Sequence, residues 1–111
     1  MEELVFNVKG SSTTPYKVTF VRKSENYLSA FCTCPAGTFG SYCKHRFNIL
    51  DGIEKGIVSN NSNDVATVQS WIKGTELELS LEEMRKLDIE FAKIKKALAA
   101  AKKDVAKAMR S

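Results

Sequence analysis

The residues best suited to chemistry in this chain fall within a single window of fourteen residues. The window holds all three cysteines and the one histidine, namely Cys32, Cys34, Cys43 and His45. Three thiolates and one imidazole make a complete tetrahedral ligand set for zinc, with no position left for a water molecule. The sequence therefore predicts one structural Zn2+ rather than a catalytic metal, and we expect no enzymatic activity.

The order of these residues suits two ligand pairs that meet across a loop. Side chains alternate along a strand, so Cys32 and Cys34 project to the same side. Cys43 and His45 are predicted at the start of the next helix, where residues two apart do not face each other in regular geometry. We therefore expect either an irregular turn there or an approach of the two side chains from the first turn of the helix. Two glycines in the eight-residue loop let the second pair fold back over the first.

Two metal-free interpretations of the same residues stay open. A redox pair of Cys32 and Cys34 would leave Cys43 and His45 without a role. A Cys/His nucleophile would need an orienting third group, and no carboxylate or amide is obviously placed for one. A closed disulfide framework would leave one thiol over, whereas a metal in a reducing compartment uses all three.

The composition is ordinary for a folded domain, with 43% hydrophobic and 27% charged residues. No apolar run is long enough to cross a membrane, and no signal-peptide hydrophobic region follows the acidic start. We therefore expect an intracellular protein, cytoplasmic or, in a eukaryote, nuclear. A membrane or a small-molecule substrate is not expected among its partners.

The first half of the chain is predicted to form a small sheet and one helix. Alternating apolar residues predict three strands, over residues 4–8, 16–21 and 27–32. A loop over residues 35–41 leads to a helix over residues 42–55. Ser41 is the predicted cap of this helix, Phe47, Leu50 and Ile53 its apolar side, and Gly56 the residue that ends it.

The second half is predicted to be mainly helical. After a linker at residues 60–63 comes a short helix with its apolar residues on one side, namely Val65, Val68, Trp71 and Ile72. Residues 75–79 are predicted to be extended, and a capping box at Ser80 to Glu83 opens a long amphipathic helix. The expected class is α+β, in three parts: a zinc-stabilised hairpin and helix module at 1–57, a linker and short helix at 58–79, and a coiled-coil-like helix at 80–111.

The spacing of the ligands resembles that of a known zinc module. Cys32-Thr33-Cys34 and Cys43-Lys44-His45 look like the SWIM-type zinc finger, whose pattern is CxCx(n)CxH. The residues around them agree: Tyr16 to Thr19 before the turn, Pro35 after Cys34, and Arg46-Phe47 after His45. The resemblance spans residues 16–57. It implies a β-hairpin followed by a helix around one zinc ion, and binding of nucleic acid or protein.

Positive charge supports the nucleic-acid hypothesis, with DNA favoured. The net charge is +4, and five basic residues of the module are candidate phosphate contacts: Lys17, Arg22, Lys23, Lys44 and Arg46. Tyr27, Phe39 and Tyr42 are candidates for stacking on unpaired bases. Packing in the core is the alternative for the aromatic residues, and it is favoured for Phe20, Phe31 and Tyr42.

The long helix carries apolar residues at alternating spacings of three and four: Met84, Leu87, Phe91, Ile94, Leu98, Ala101, Val105 and Ala108. This pattern predicts a coiled-coil seam over four heptads. Glu90 and Lys95 would attract each other across a parallel dimer. A homodimer or a helical protein partner is therefore expected, and a protein–protein adaptor is the alternative function. Packing of the seam on the rest of the same chain stays open.

Overall fold

The protein belongs to the α+β class, as the sequence predicts. The computed structural model describes residues 1–110. The chain divides into two compact units, of which the first is Met1–Glu78 and the second begins at Leu79. The first unit contains the sheet and all four candidate metal ligands, and the second is the greater part of the last helix.

The sheet has three antiparallel strands in the order β1-β2-β3, namely β1 (Glu2–Val8), β2 (Tyr16–Ser24) and β3 (Tyr27–Cys32). Phe6 pairs with Val18, and Val18 pairs with Cys32. These three residues are buried and form one row across the inner face of the sheet. The register therefore places the first metal-ligand candidate next to the apolar core.

Four α-helices follow the sheet: α1 (Pro35–Thr38), α2 (Lys44–Leu50), α3 (Val65–Ile72) and α4 (Glu76–Arg110). A single 3₁₀ turn at Ser62–Asp64 precedes α3. The fully buried side chains come from the sheet, α2 and α3: Phe6, Phe20, Val18, Ile49 and Val68. The rings of Phe6 and Phe20 pack edge to face with centroids 6.0 Å apart. One core thus joins the sheet to α2 and α3.

The segment after α2 covers the free edge of β1. Lys9 N donates to Gly56 O at 2.8 Å, and Val58 N donates to Asn7 O at 2.8 Å. The Asn61 side-chain amide donates to Val5 O, also at 2.8 Å. These bonds satisfy backbone groups that an edge strand would otherwise offer to another chain.

Helix α2 is shorter than the predicted helix over 42–55. It begins at Lys44, and Cys43 rather than Ser41 occupies its N-cap. It ends at Leu50, five residues before the end predicted from the sequence, because Gly52, with a φ of +84°, turns the chain away. Ile53 consequently lies outside the helix and is exposed. The predicted loop before it also contains the short helix α1.

Helix α4 begins earlier than predicted. The extended segment over 75–79 and the cap at Ser80 are both wrong, because an earlier capping box starts the helix. Thr75 Oγ1 accepts a hydrogen bond from Glu78 N at 3.3 Å, and the Glu78 carboxylate accepts one from Gly74 N at 3.4 Å. Thr75 and Glu78 thus satisfy two backbone donors at this terminus, as in a capping box, except that the glutamate accepts from Gly74 N and not from the N–H of the cap residue.

Phe31 is not a core residue, contrary to the sequence-based expectation. It pairs with Thr19 on the outer face of the sheet, and its side chain is 57% exposed. The reason is the strand period: Cys32 faces inward, so its neighbour must face outward. Phe20, in contrast, is fully buried as expected.

Beyond Leu81, which is buried, α4 is exposed along most of its length. Of the predicted seam, Met84 is half-buried, and the other members are exposed: Leu87, Phe91, Ile94, Leu98, Ala101, Val105 and Ala108. Among residues 1–110, no helix combines the length and the apolar character that a membrane span requires.

Two phenylalanine variants test the two faces of the sheet. Phe20→Ala should lower the free energy of unfolding by about 3–5 kcal/mol, because it leaves a cavity in the core. Phe31→Ala should lower it by less than about 1 kcal/mol, since that ring is largely in water already. Urea unfolding of the two metal-loaded variants measures the difference, and equal losses would show that the outer face is also packed.

Candidate metal centre

The structure brings the four predicted ligands into one cluster. The Sγ atoms of the cysteines and a ring nitrogen of His45 all lie within 4.8 Å of one another. Cys34 Sγ and Cys43 Sγ are 3.3 Å apart, and His45 Nδ1 is 3.6 Å from Cys43 Sγ and 3.9 Å from Cys32 Sγ. Bonds of about 2.3 Å to sulfur and about 2.0–2.1 Å to nitrogen imply tetrahedral edges of about 3.5–3.8 Å. The donor set and its spacing therefore fit a zinc ion.

The first ligand pair is held by the end of β3 and the start of α1. Cys32 ends the strand on its inner face, and Cys34 N donates to Cys32 Sγ at 3.5 Å. Cys34 caps α1, where its sulfur accepts a hydrogen bond from Gly37 N at 3.3 Å. Pro35 occupies the first helical position, where its fixed φ suits the turn. Backbone donors thus orient both sulfurs toward the same point.

The second pair straddles the first turn of α2. Cys43 has an extended backbone, with φ −138° and ψ 116°, and His45 is the second residue of the helix. The change of backbone conformation between them lets residues two apart approach each other, as their side chains do here at 3.6 Å. Of the two arrangements that the sequence allows, the structure shows the approach of the two side chains from the first turn of the helix.

His45 presents Nδ1, not Nε2, to the sulfurs. The opposite nitrogen, Nε2, is buried and has no hydrogen-bond partner in the described part of the chain. The imidazole lies beside the Tyr16 ring, with centroids 5.1 Å apart and planes tilted by 49°. A ligand role for Nδ1 requires the proton on Nε2. The sequence carries no signal that distinguishes these two nitrogens.

The thiols of Cys32 and Cys43 differ in how readily they ionise. Burial raises the pKa of the Cys32 thiol to about 12. Burial also acts to raise the pKa of Cys43, but hydrogen bonds from Arg46 N and from the Cys34, His45 and Cys32 side chains lower it to about 6. One thiolate therefore forms easily while its neighbour resists ionisation. A bound divalent cation would remove that conflict by stabilising all of the thiolates at once.

The five basic residues predicted to contact phosphate occupy different parts of the module. Lys17 is exposed in β2, while Arg22 pairs with Glu2 at 3.3 Å. Lys23 lies over the Tyr27 ring, with its ammonium 5.1 Å from the centroid.

The remaining two basic residues lie on α2 and differ in role. Arg46 donates to Ala30 O at 3.2 Å and to Ser41 O, so its guanidinium ties β3 and the preceding loop to the helix. Lys44, between the two ligands of the second pair, is exposed.

A pocket of about 430 Å³ lies beside the cluster. It is lined by Ser11, Tyr16, Cys34, Pro35, Ala36, Tyr42, Cys43, Lys44 and His45. Tyr42, for which core packing is favoured by the sequence, is 64% exposed and packs one side against Phe47. Tyr16 is a pocket residue that the sequence does not reveal, because it precedes the first ligand by sixteen positions. The register of β2 on β3, with Val18 opposite Cys32, brings it to the site.

No protein-family model, curated protein or solved structure matches this chain. The compact Cys/Cys/Cys/His cluster itself suggests a zinc finger, since all four donors lie within metal-binding distance. The SWIM-type assignment rests on the residue pattern around that cluster.

Loss of a ligand should unfold the module. Cys43→Ser or His45→Ala should abolish cooperative unfolding of residues 16–57, because structural zinc contributes about 10–16 kcal/mol in comparable sites. Lys44→Gln is the matched control, since it changes an exposed residue between these two ligands. Thermal unfolding by circular dichroism, with hydrogen exchange mapped over residues 16–57, measures the effect. A cooperative transition in the ligand variants, or after chelation, would contradict a structural metal.

Gly37 should be needed for metal affinity, because a Cβ there would lie 2.6 Å from Cys32 O and 2.7 Å from Cys32 Cβ. Gly37→Ala should therefore push α1 away from β3 and weaken zinc binding by at least tenfold in a competition titration with a chelator. Gly40→Asn is the control: nothing lies within 4 Å of that position, and asparagine tolerates its φ of +73°. Equal affinity of the Gly37 variant and the parent would rule out this close approach.

Proposed function

We propose that this chain is a non-catalytic zinc module of the SWIM type that binds unpaired nucleic acid, with DNA favoured, in a reducing intracellular compartment. The clustered thiols support zinc and a compartment that keeps them reduced. Four protein donors would complete the coordination of the ion, so no position remains for a reacting water. The metal is assigned a structural role on that ground.

The pocket beside the cluster supports the nucleic-acid assignment. Tyr42 offers an exposed ring, and Lys44 places an exposed ammonium on the same pocket. A ring that stacks on an unpaired base, next to a cation that contacts phosphate, is the usual combination in proteins that bind single strands. This juxtaposition is the observation that carries the proposal.

The metal would hold this surface in place. Tyr42 and Lys44 flank Cys43, and Pro35 follows Cys34, so both sides of the pocket adjoin a ligand in sequence. Tyr16 reaches the same pocket by packing beside His45. Binding of nucleic acid should therefore require the metallated protein.

Fluorescence anisotropy with single-stranded DNA, single-stranded RNA and duplex DNA tests the proposal over a series of salt concentrations. Single strands should bind more tightly than duplex, because stacking requires unpaired bases. Tyr42→Ala should raise Kd about tenfold or more, since one lost stack removes about 1–3 kcal/mol. Lys44→Gln should reduce the slope of log K against log salt by about 0.7, as expected for one lost phosphate contact.

Two variants serve as controls. Tyr42→Phe keeps the ring and should bind like the parent, and Lys55→Gln removes an exposed cation that does not line the pocket. The proposal fails if no nucleic acid binds at low salt, or if Lys44→Gln and Lys55→Gln have equal effects. The adaptor function predicted as the alternative would use the exposed apolar residues of α4, so Tyr42→Ala would leave it unchanged.

A further inference from the structure

Helix α4 leaves an unusual amount of apolar surface in water. Five large side chains of its seam are more than half exposed: Leu87 at 52%, Phe91 at 66%, Ile94 at 68%, Leu98 at 53% and Val105 at 57%. At alternating spacings of three and four they lie on one side of the helix. The full seam from Met84 to Ala108 is about 36 Å long at 1.5 Å per residue. A continuous apolar surface of this kind marks an interaction site.

We propose that α4 pairs with α4 of a second copy of this chain in the antiparallel direction. In one antiparallel register, each layer of the seam holds at least one large side chain, and no layer holds two aromatic rings or two alanines. Met84 faces Ala108 of the second copy, Leu87 faces Val105, Phe91 faces Ala101, and Ile94 faces Leu98. The bulkiest side chain, Phe91, thus lies opposite a small one.

A parallel pair in register would pack the same residues poorly. Each seam residue would face its own copy, so two Phe91 rings would share one layer. Two Ala101 methyl groups would share another and leave a void between the helices. Close packing disfavours both the overfilled and the empty layer.

The charges along α4 favour the same direction. Residues 76–90 carry six carboxylates and two cations, a net charge of −4, and residues 91–110 carry seven cations and one carboxylate, a net charge of +6. In this register the acidic segment 82–90 of each helix lies beside the basic segment 102–110 of the other, while residues 91–101, which include Lys93, Lys95 and Lys96, lie beside the same segment of the second copy. Parallel pairing sets like charge beside like charge along the whole helix. The helix dipoles also oppose each other favourably in the antiparallel pair. Beside the seam, Asp88 would meet Lys102 of the second copy.

A zero-length carbodiimide cross-link tests the direction. Asp88 and Lys102 are about 21 Å apart along one helix, so a direct link between them can form only between two chains. Full-length, zinc-loaded protein is mixed in equal amounts of ¹⁴N- and ¹⁵N-labelled chains. Mass spectrometry should then find cross-linked peptide pairs that join Asp88 to Lys102, in which one peptide carries ¹⁴N and the other ¹⁵N. Sedimentation equilibrium should give about twice the 12.3 kDa of the chain.

Two aspartate variants on opposite sides of α4 test the seam itself. Ile94→Asp should raise the dimer dissociation constant at least a hundredfold, because it buries a charge at the centre of the pair. Ile89→Asp is matched in chemistry and exposure, since Ile89 is 58% exposed, but it lies outside the seam and should leave the dimer intact. Zinc content confirms that both variants are folded.

Three results would overturn the proposal. The first is a monomer at all concentrations up to several hundred micromolar. The second is a dimer whose mixed-isotope links join Glu90 to Lys95 and not Asp88 to Lys102, which is the pattern of a parallel pair. The third is an equal loss of association in Ile94→Asp and Ile89→Asp.

Discussion

Three thiols and an imidazole held within 4.8 Å of one another are the constraint on which the first unit depends. Burial raises the pKa of the Cys32 thiol, whereas hydrogen bonds from neighbouring groups lower the pKa of Cys43, so the two thiols oppose each other in ionisation. A divalent cation converts the same arrangement into a closed coordination site. Few apolar residues are available to a module of this size, so a bound metal would add stability that its core cannot supply.

The same constraint shapes the surface beside the cluster. Closing the loop between the ligand pairs brings Tyr42 and Lys44 to the pocket that Tyr16 of β2 also lines, and Arg46 fixes α2 to β3 through Ala30 O. The proposed recognition of nucleic acid at that pocket would therefore be linked to coordination of the metal through the backbone. The second unit carries an apolar surface on α4, so the proposed self-association could be altered without changing the pocket.

The sequence predicts the ligand set and the α+β class because residue type and spacing determine both. It does not predict which nitrogen of His45 faces the sulfurs, since that depends on how Tyr16 packs beside the ring. Phe31 could have been assigned correctly, because an inward-facing Cys32 forces its neighbour outward. The start of α4 could not have been assigned from the sequence, because two segments have the residue pattern of a capping box, one beginning at Thr75 and one at Ser80. The structure uses Thr75.

X-ray absorption at the zinc edge, combined with elemental analysis of protein purified under reducing conditions, tests the central claim most directly. We predict one zinc per chain, bound by three sulfur atoms at about 2.3 Å and one nitrogen at about 2.0–2.1 Å. The absence of stoichiometric metal, or a coordination sphere that includes a water oxygen in place of one of these donors, would contradict a closed structural site.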